Sequence, residues 1–227
     1  MIIDIHIHTA EFSDDSILPV EEAILKAKAL HLGGICITDH GSMGILEIAG
    51  KLSRKYGILV IPGVEVLTDM GDILVFGARN IPMSNIGAEE LIAEVSQKGG
   101  VTVSAHPFRD NGRGMGERIR TSAGLSAVET LNGRTKDIHN SIASLVAMEL
   151  ELPSMGGSDA HTQEEVGRCA TMLPDDVSSE TDFINAIKSG RVAPVSSAEG
   201  YAPRPVVPFL ITPEYGHSRI KDPTPSL

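Results

Sequence analysis

The 227-residue chain predicts an α/β fold of the incomplete or distorted (β/α) barrel type, for three reasons. Short apolar runs with strand character alternate with segments of helical periodicity. Those runs end, one after another, in histidine or a carboxylate. No G-x-G-x-x-G follows the first run, which removes the best reason for the alternative, an open doubly wound sheet of the dinucleotide-binding kind.

The first strand opens the chain as Met1-Ile2-Ile3-Asp4-Ile5-His6-Ile7-His8. Ile3, Ile5 and Ile7 alternate with Asp4, His6 and His8, so His6 and His8 project from one face about 7 Å apart, suited to closing on one transition metal. A loop over Thr9–Ser16 carries Ser13-Asp14-Asp15. Pro19 then sets a helix over Val20–Leu32, stopped by Gly33-Gly34. The second strand, Ile35-Cys36-Ile37, ends in Thr38-Asp39-His40, and a helix over Gly44–Tyr56 stops at Gly57. Ile58–Ile61 forms the third strand and leads through Pro62-Gly63 to Val64-Glu65-Val66; Asp72–Gly77 forms the fourth. A helix over Ala88–Gln97 precedes the fifth strand, Val101–His106. The sixth strand is Ala127–Leu131, a helix over Asp137–Glu151 follows, and Met155–His161 closes the series. Such alternation implies parallel strands joined by crossover helices, too few for an eight-fold barrel.

Residues 1–193 read as a single barrel domain. From Pro194 the texture changes, since seven of the thirteen prolines fall there, and 194–227 reads as a proline-rich tail.

Hydrophobic residues make up 41% and charged residues 22%, ordinary for a soluble globular protein. With no apolar run of about 18 residues and no basic n-region before an h-region, neither a membrane partner nor a secretory signal is expected. Two cysteines are too few for a disulfide framework, so a cytoplasmic location is expected. Cys36 reads as a core residue rather than a nucleophile. The net charge of −11 argues against a broad basic face, so no duplex nucleic acid partner is expected. The few aromatic residues argue against a long single-strand channel.

The carboxyl ends of parallel strands converge on one site. Here they carry His6, His8, Asp39, His40, Glu65, His106, Glu129, Asp159 and His161. So many buried ionisable groups are costly without cations among them, which makes a polynuclear metal site the economical reading. His31, His139 and His217 stand outside this pattern.

These residues carry a resemblance to the PHP family, named for polymerase and histidinol phosphatase domains. It rests on His6-Ile7-His8, Ser13-Asp14, Thr38-Asp39-His40, Gly63-Val64-Glu65, Ala105-His106-Pro107, Glu129 with Asn132-Gly133, and Ser158-Asp159-Ala160-His161. It spans about residues 1–190. The resemblance implies a distorted (β/α)7, TIM-like barrel with two or three divalent ions (Zn, Mn or Fe) and hydrolysis of phosphoesters. His6, His8 and Asp159 would hold one ion, with Glu65 bridging to a second completed by His106 and Glu129. Asp14, His40 and His161 would make a third site or bind substrate phosphate. This chain departs from some members in having Asp14 and Glu129 where they have histidine, and no histidine before Gly77.

Two ions bridged by a carboxylate make a hydroxide nucleophile at neutral pH, and His40, His161 or Asp14 would supply the leaving group's proton. The segment 109–124 concentrates Arg109, Arg113, Arg118 and Arg120 in an acidic chain, and guanidinium forks match phosphate oxygens. Arg109, Arg113 and Arg134 are therefore the expected substrate-binding residues. The predicted activity is metal-dependent hydrolysis of a small phosphomonoester or nucleotide. The alternatives are an exonuclease-like phosphodiesterase on short oligonucleotides and a non-catalytic metal-binding regulatory barrel.

Overall fold

The computed structural model describes residues 1–202. In chain order the elements are β1 (Ile2–Ile7), α1 (Val20–Ala29), β2 (Gly34–Ile37), α2 (Ala49–Tyr56), β3 (Leu59–Leu67), β4 (Asp72–Phe76) and α3 (Ala88–Gln97). There follow β5 (Val101–Ser104), β6 (Ala127–Asn132), α4 (Asp137–Glu149), β7 (Ser154–Gly157), β8 (Cys169–Met172), α5 (Glu180–Lys188) and β9 (Ala193–Ser196). The strands form one sheet in the order β7-β6-β5-β4-β3-β2-β1-β8-β9.

That sheet curls into a nearly closed barrel. At the upper end of β1, Ile7 bridges in parallel to Ala160, and the His8 amide donates to the Ala160 carbonyl at 2.9 Å. At its lower end β1 pairs with β8 instead, antiparallel, through Ile2–Met172 and Ile3–Thr171. The Thr171 hydroxyl ties this annex to β7, accepting from the Gly156 amide at 2.9 Å and donating to the Gly156 carbonyl at 2.8 Å.

The strands are not all parallel, as the alternation had implied. β4 runs antiparallel to both β3 and β5. Only four residues, Thr68–Gly71, separate β3 from β4, far too few for a crossover helix, so the chain must turn back as a hairpin. Gly71 makes this turn at φ +135°, and a Cβ there would lie 2.7 Å from the Met115 amide nitrogen. The reversal carries the start of β4, Asp72, to the end of the barrel where β3 and β5 finish.

One apolar cluster includes Ile5, Cys36, Ile61, Leu74, Val103, Ala127 and Met155, and so draws at least one residue from each of β1–β7. Only the barrel interior can gather all seven strands. Phe183, Ala186 and Ile187 of α5 join this cluster and plug the barrel floor, with Phe183 edge-on to Phe76 at 5.2 Å. Ile35 and Ile37 pack outward on α1 and α2, and Ile73 and Val75 on α3. Cys36 is fully buried in the core, as expected.

The tail boundary requires correction. Pro194 lies within β9, paired with Thr171 on the sheet's edge, where a missing amide donor is tolerated. Tyr201 is also packed onto the domain, its hydroxyl donating to the Gly167 carbonyl at 2.8 Å. The rest of the predicted tail, from 203 onward, lies outside the described residues. Among the described residues no helix is long and apolar enough to cross a membrane.

Candidate metal centre

His6 and His8 stand at the barrel mouth, fully buried, with their Nε2 atoms 3.0 Å apart. The His6 ring is aimed from behind. His6 Nδ1 donates to Glu129 Oε1 at 3.0 Å, which leaves the Nε2 lone pair for the site. Asp4, on the same strand, accepts from the His6 and Ser158 amides with one oxygen (3.3 and 2.9 Å) and from the Gly167 amide with the other (2.8 Å). It thereby ties β1 to the segment that presents Asp159 and His161. Burial pushes the Asp4 carboxyl up to about 6 against the lowering effect of these hydrogen bonds.

Glu65, near the carboxyl end of β3, faces two ways. Its Oε1 lies 2.9 Å from His106 Nε2. Its Oε2 is buried within 2.9 Å of His40 Nδ1, 3.2 Å of His8 Nε2 and 3.4 Å of His6 Nε2, yet accepts a well-directed hydrogen bond from none. A buried carboxylate oxygen surrounded by imidazole nitrogens without being satisfied is what a bridging metal ligand looks like before its cations are counted. Asp159 Oδ1 completes the ring, 3.4 Å from His8 Nε2 and 3.6 Å from His6 Nε2. His106 and Asp159 both have positive φ, +30° and +57°, a strained backbone held by the surrounding structure at the donor residues themselves.

Among the described residues four donor sets emerge, each with ligand atoms within 4.8 Å of one another: His6–His106–Asp159, His6–His8–Glu65, Glu65–Asp72–His106, and His8–Asp15–His40–His161. Imidazole nitrogens and carboxylate oxygens in this mixture fit divalent metal ions, and the orphaned Glu65 oxygen is a buried donor in their midst.

In the metal-free protein, protons balance the charges. Burial disfavours the His6 imidazolium, but Glu129, Asp159 and Glu65 hold its pKa well above the usual range. Burial opposes His8 in the same way, and its contacts with Asp159 and Glu65 raise it to about 9. Conversely, burial opposes ionisation of Glu65 and Asp159, and the His6 charge holds both well below the ordinary carboxylate range. His161 is shifted down by burial and by the neighbouring His8 charge.

Of the expected ligands, His6, His8, His40, Glu65, His106, Asp159 and His161 are brought together. Asp14 is not. It is exposed, and its neighbour Asp15 places an oxygen 3.3 Å from His40 Nε2 and 3.2 Å from His161 Nε2. The turn in which the Ser13 amide donates to the Thr9 carbonyl sets the phase of this loop, and strand periodicity says nothing about it. Glu129 is also placed differently. Besides holding His6, it accepts from the His106 amide (2.8 Å) and Asn132 Nδ2 (3.0 Å), so both its oxygens are engaged behind the donor ring.

The donors open into a cavity of about 330 Å³ that Arg109, Arg113 and Arg134 line. Arg109 bonds Asn132 and Asp159 and donates from Nε to Thr135 Oγ1 at 3.0 Å. Arg113 grips Asp72 with Nε and Nη2 at 2.7 and 3.1 Å. Arg134 Nη1 lies 2.7 Å from His161 Nδ1. Arg118 and Arg120 instead turn away, to the carbonyls of Met115 and Asp69 and to Glu117 and Glu149. Asp15 and Asp72 also reach the donor ring, and Asn132, quoted above only as part of the resemblance, contacts Arg109 and Asp159. A buried acid opening an apolar strand was a usable signal for Asp72 alone.

The PHP domain model matches residues 4–127, and the PHP-associated model matches 137–192. The chain belongs to the PHP family. An uncharacterised protein of Methanocaldococcus jannaschii is 30% identical over 155 residues, covering 63% of this chain and 89% of that protein. Among solved structures, a two-domain Bacteroides vulgatus protein containing a predicted PHP-like metal-dependent phosphoesterase is similar with a TM-score of 0.67. It is 18% identical, with coverage of 86% of this chain and 64% of the other. The lesion-specific endonuclease Q of Pyrococcus furiosus has the same TM-score and identity, over 86% of this chain and 58% of that one. Endonuclease Q also has a structure with a 27-mer duplex bearing an abasic lesion at the active site. Net charge is thus a weaker argument against a duplex partner than composition implied, because a protein that contains this fold takes a duplex substrate.

Proposed function

We propose that this PHP protein hydrolyses small phosphoesters, a phosphomonoester or a nucleotide, using two or three divalent ions of Zn, Mn or Fe. The observation that carries the reading is one cavity in which imidazole and carboxylate donors meet three arginines. At about 330 Å³ it lies at the small end of ligand sites, suited to a compact anion rather than a long polymer.

His6, His8, Asp159 and Glu65 would hold one ion, Glu65 and His106 a second, and Asp15, His40 and His161 a third. When bound, such ions lower the pKa of water toward neutrality and offset charge on the phosphoryl oxygens. The chain's own residues do the rest. Arg109 and Arg134 flank Asp159 and His161 and would clamp the phosphate oxygens by charge-assisted hydrogen bonds. Asn132 fixes this pair, since its Oδ1 accepts from Arg109 and, at 2.9 Å, from the Arg134 amide. His40 is 28% exposed, which leaves it free to deliver a proton to the leaving oxygen where the third position is empty.

The test is turnover of p-nitrophenyl phosphate and a panel of nucleotides and short oligonucleotides with added Mn²⁺ or Zn²⁺. Metal-dependent turnover that chelation and His6→Ala both abolish is expected. Metal-replete protein without turnover on any phosphoester would leave the regulatory barrel as the better reading. Preference for oligonucleotides over mononucleotides would move the substrate to the exonuclease-like class.

A further inference from the structure

We infer that Asp72 is a ligand of the second cation, at the position that the sequence suggested for Glu129. The inference rests on the metal-dependent reading above and names which of this chain's carboxylates completes the site.

Asp72 reaches the mouth only because β4 is reversed. It is fully buried and pinned by its own backbone, its amide donating to the Arg113 carbonyl at 2.8 Å and its carbonyl accepting from the Ala105 amide at 3.1 Å. Its carboxylate, Glu65 and His106 offer donor atoms within 4.8 Å of one another, and Oδ2 is 3.9 Å from His106 Nε2. That gap is too long for a hydrogen bond and of the size that two ligands of one ion span.

Glu129 is spoken for. Three N–H groups already occupy its two oxygens, and turning it toward a cation would strip His6 of the partner that aims its ring. Asp72 has one outer partner, the Arg113 fork, which approaches from the loop side. A carboxylate has about four lone-pair sites, so the fork leaves capacity on the side facing Glu65 and His106. Arg113 then orients a carboxylate ligand as an outer partner does in metal sites generally. The independent sign that a cation belongs here is Glu65, whose fully buried Oε2 is unsatisfied while its Oε1 lies on His106. Glu65 thus bridges toward the Asp72 pocket on one side and the His6–His8 pocket on the other.

The experiment counts metal instead of measuring activity. Chelator-stripped full-length protein is titrated with Mn²⁺, the bound ion is quantified by mass spectrometry, and the coupled two-Mn²⁺ signal is followed by electron paramagnetic resonance. Wild type is expected to bind at least two equivalents and show the coupled signal. Asp72→Asn is expected to lose one equivalent and the coupled signal while keeping the isolated Mn²⁺ signal. Glu129→Gln is expected to keep the stoichiometry with affinity about 10–100-fold weaker. Asp72→Asn with unchanged stoichiometry and coupling overturns the inference, as does loss of the coupled signal in Glu129→Gln alone. If Asp72→Asn fails to fold by circular dichroism, Arg113→Met decides. About 10–100-fold weaker binding confined to the second equivalent supports the assignment, and unchanged binding overturns it. Wild type that binds no Mn²⁺ removes the metal-dependent reading together with this one.

Discussion

The two halves of the metal-donor ring are built from the same residue types but in opposite settings. On one side Glu65, Asp72 and His106 are buried, held by strand backbone and by carboxylate or arginine partners. On the other, Asp15 is 55% exposed on a loop and His40 is 28% exposed beside it. A charge in the first half has no water to fall back on, so every donor there depends on a counter-charge. A charge on Asp15 or His40 in the second half can be solvated, although His161 beside them is buried. The first half therefore suits tightly held ions, and the second suits an ion or phosphate that comes and goes.

The contrast can be broken most severely at its centre. Glu65→Gln removes the carboxylate shared by both pockets, and a loss of hydrolysis of about 10³-fold or more is expected, with the coupled Mn²⁺ signal gone. Comparison of kcat and bound metal in the same preparation checks it. A variant that keeps two coupled ions would refute the bridging role.

A smaller effect is expected at the open half. Asp15→Asn should weaken binding of the last cation about 10–100-fold and leave the first two in place. Asp14→Asn, one residue away but turned outward, should change binding by less than about two-fold, the size of an ordinary surface substitution. Isothermal titration of both variants separates them, and equal effects would mean that the loop phase is wrong.

The smallest effect is a linkage between protons and metal. His8 titrates at about 9 in the metal-free fold, against about 6.5 for an unfolded imidazole. Its raised pKa stabilises the metal-free protein fully below about pH 6.5, and that contribution is lost as pH rises through 9. Metal-loaded protein, whose His8 must be neutral to ligate, has no such contribution to lose. The gap in Tm between loaded and metal-free protein should therefore widen between pH 6.5 and 9. Scanning calorimetry at several pH values measures it, and a constant gap would show that His8 does not exchange a proton for a cation.

Much of the ring was legible because strand alternation and the end-of-strand rule are local. Ile3-Asp4-Ile5-His6-Ile7-His8 places two imidazoles on one face in any register, and Cys36, inside an apolar run, was bound to be core. The helix plug α5 and the short annex strands β8 and β9 escaped notice, since four-residue strands carry almost no periodic signal. Asp72 was overlooked for a more interesting reason. In an all-parallel sheet the start of β4 would face the floor, and only the hairpin turn at Thr68–Gly71 sends it to the mouth.

What the sequence determined by itself was the family of donors and the strands that carry them, because period-two alternation and chain order are properties of neighbouring residues. Tertiary structure alone decided that β4 runs backwards, that Asp15 rather than Asp14 faces His40 and His161, and that both Glu129 oxygens are engaged behind the ring. The Glu129 placement is made by hydrogen bonds between residues far apart in sequence, such as Glu129 to His6. The β4 reversal and the Asp15 phase follow instead from the short hydrogen-bonded turns at Thr68–Gly71 and Thr9–Ser13, which strand alternation does not describe.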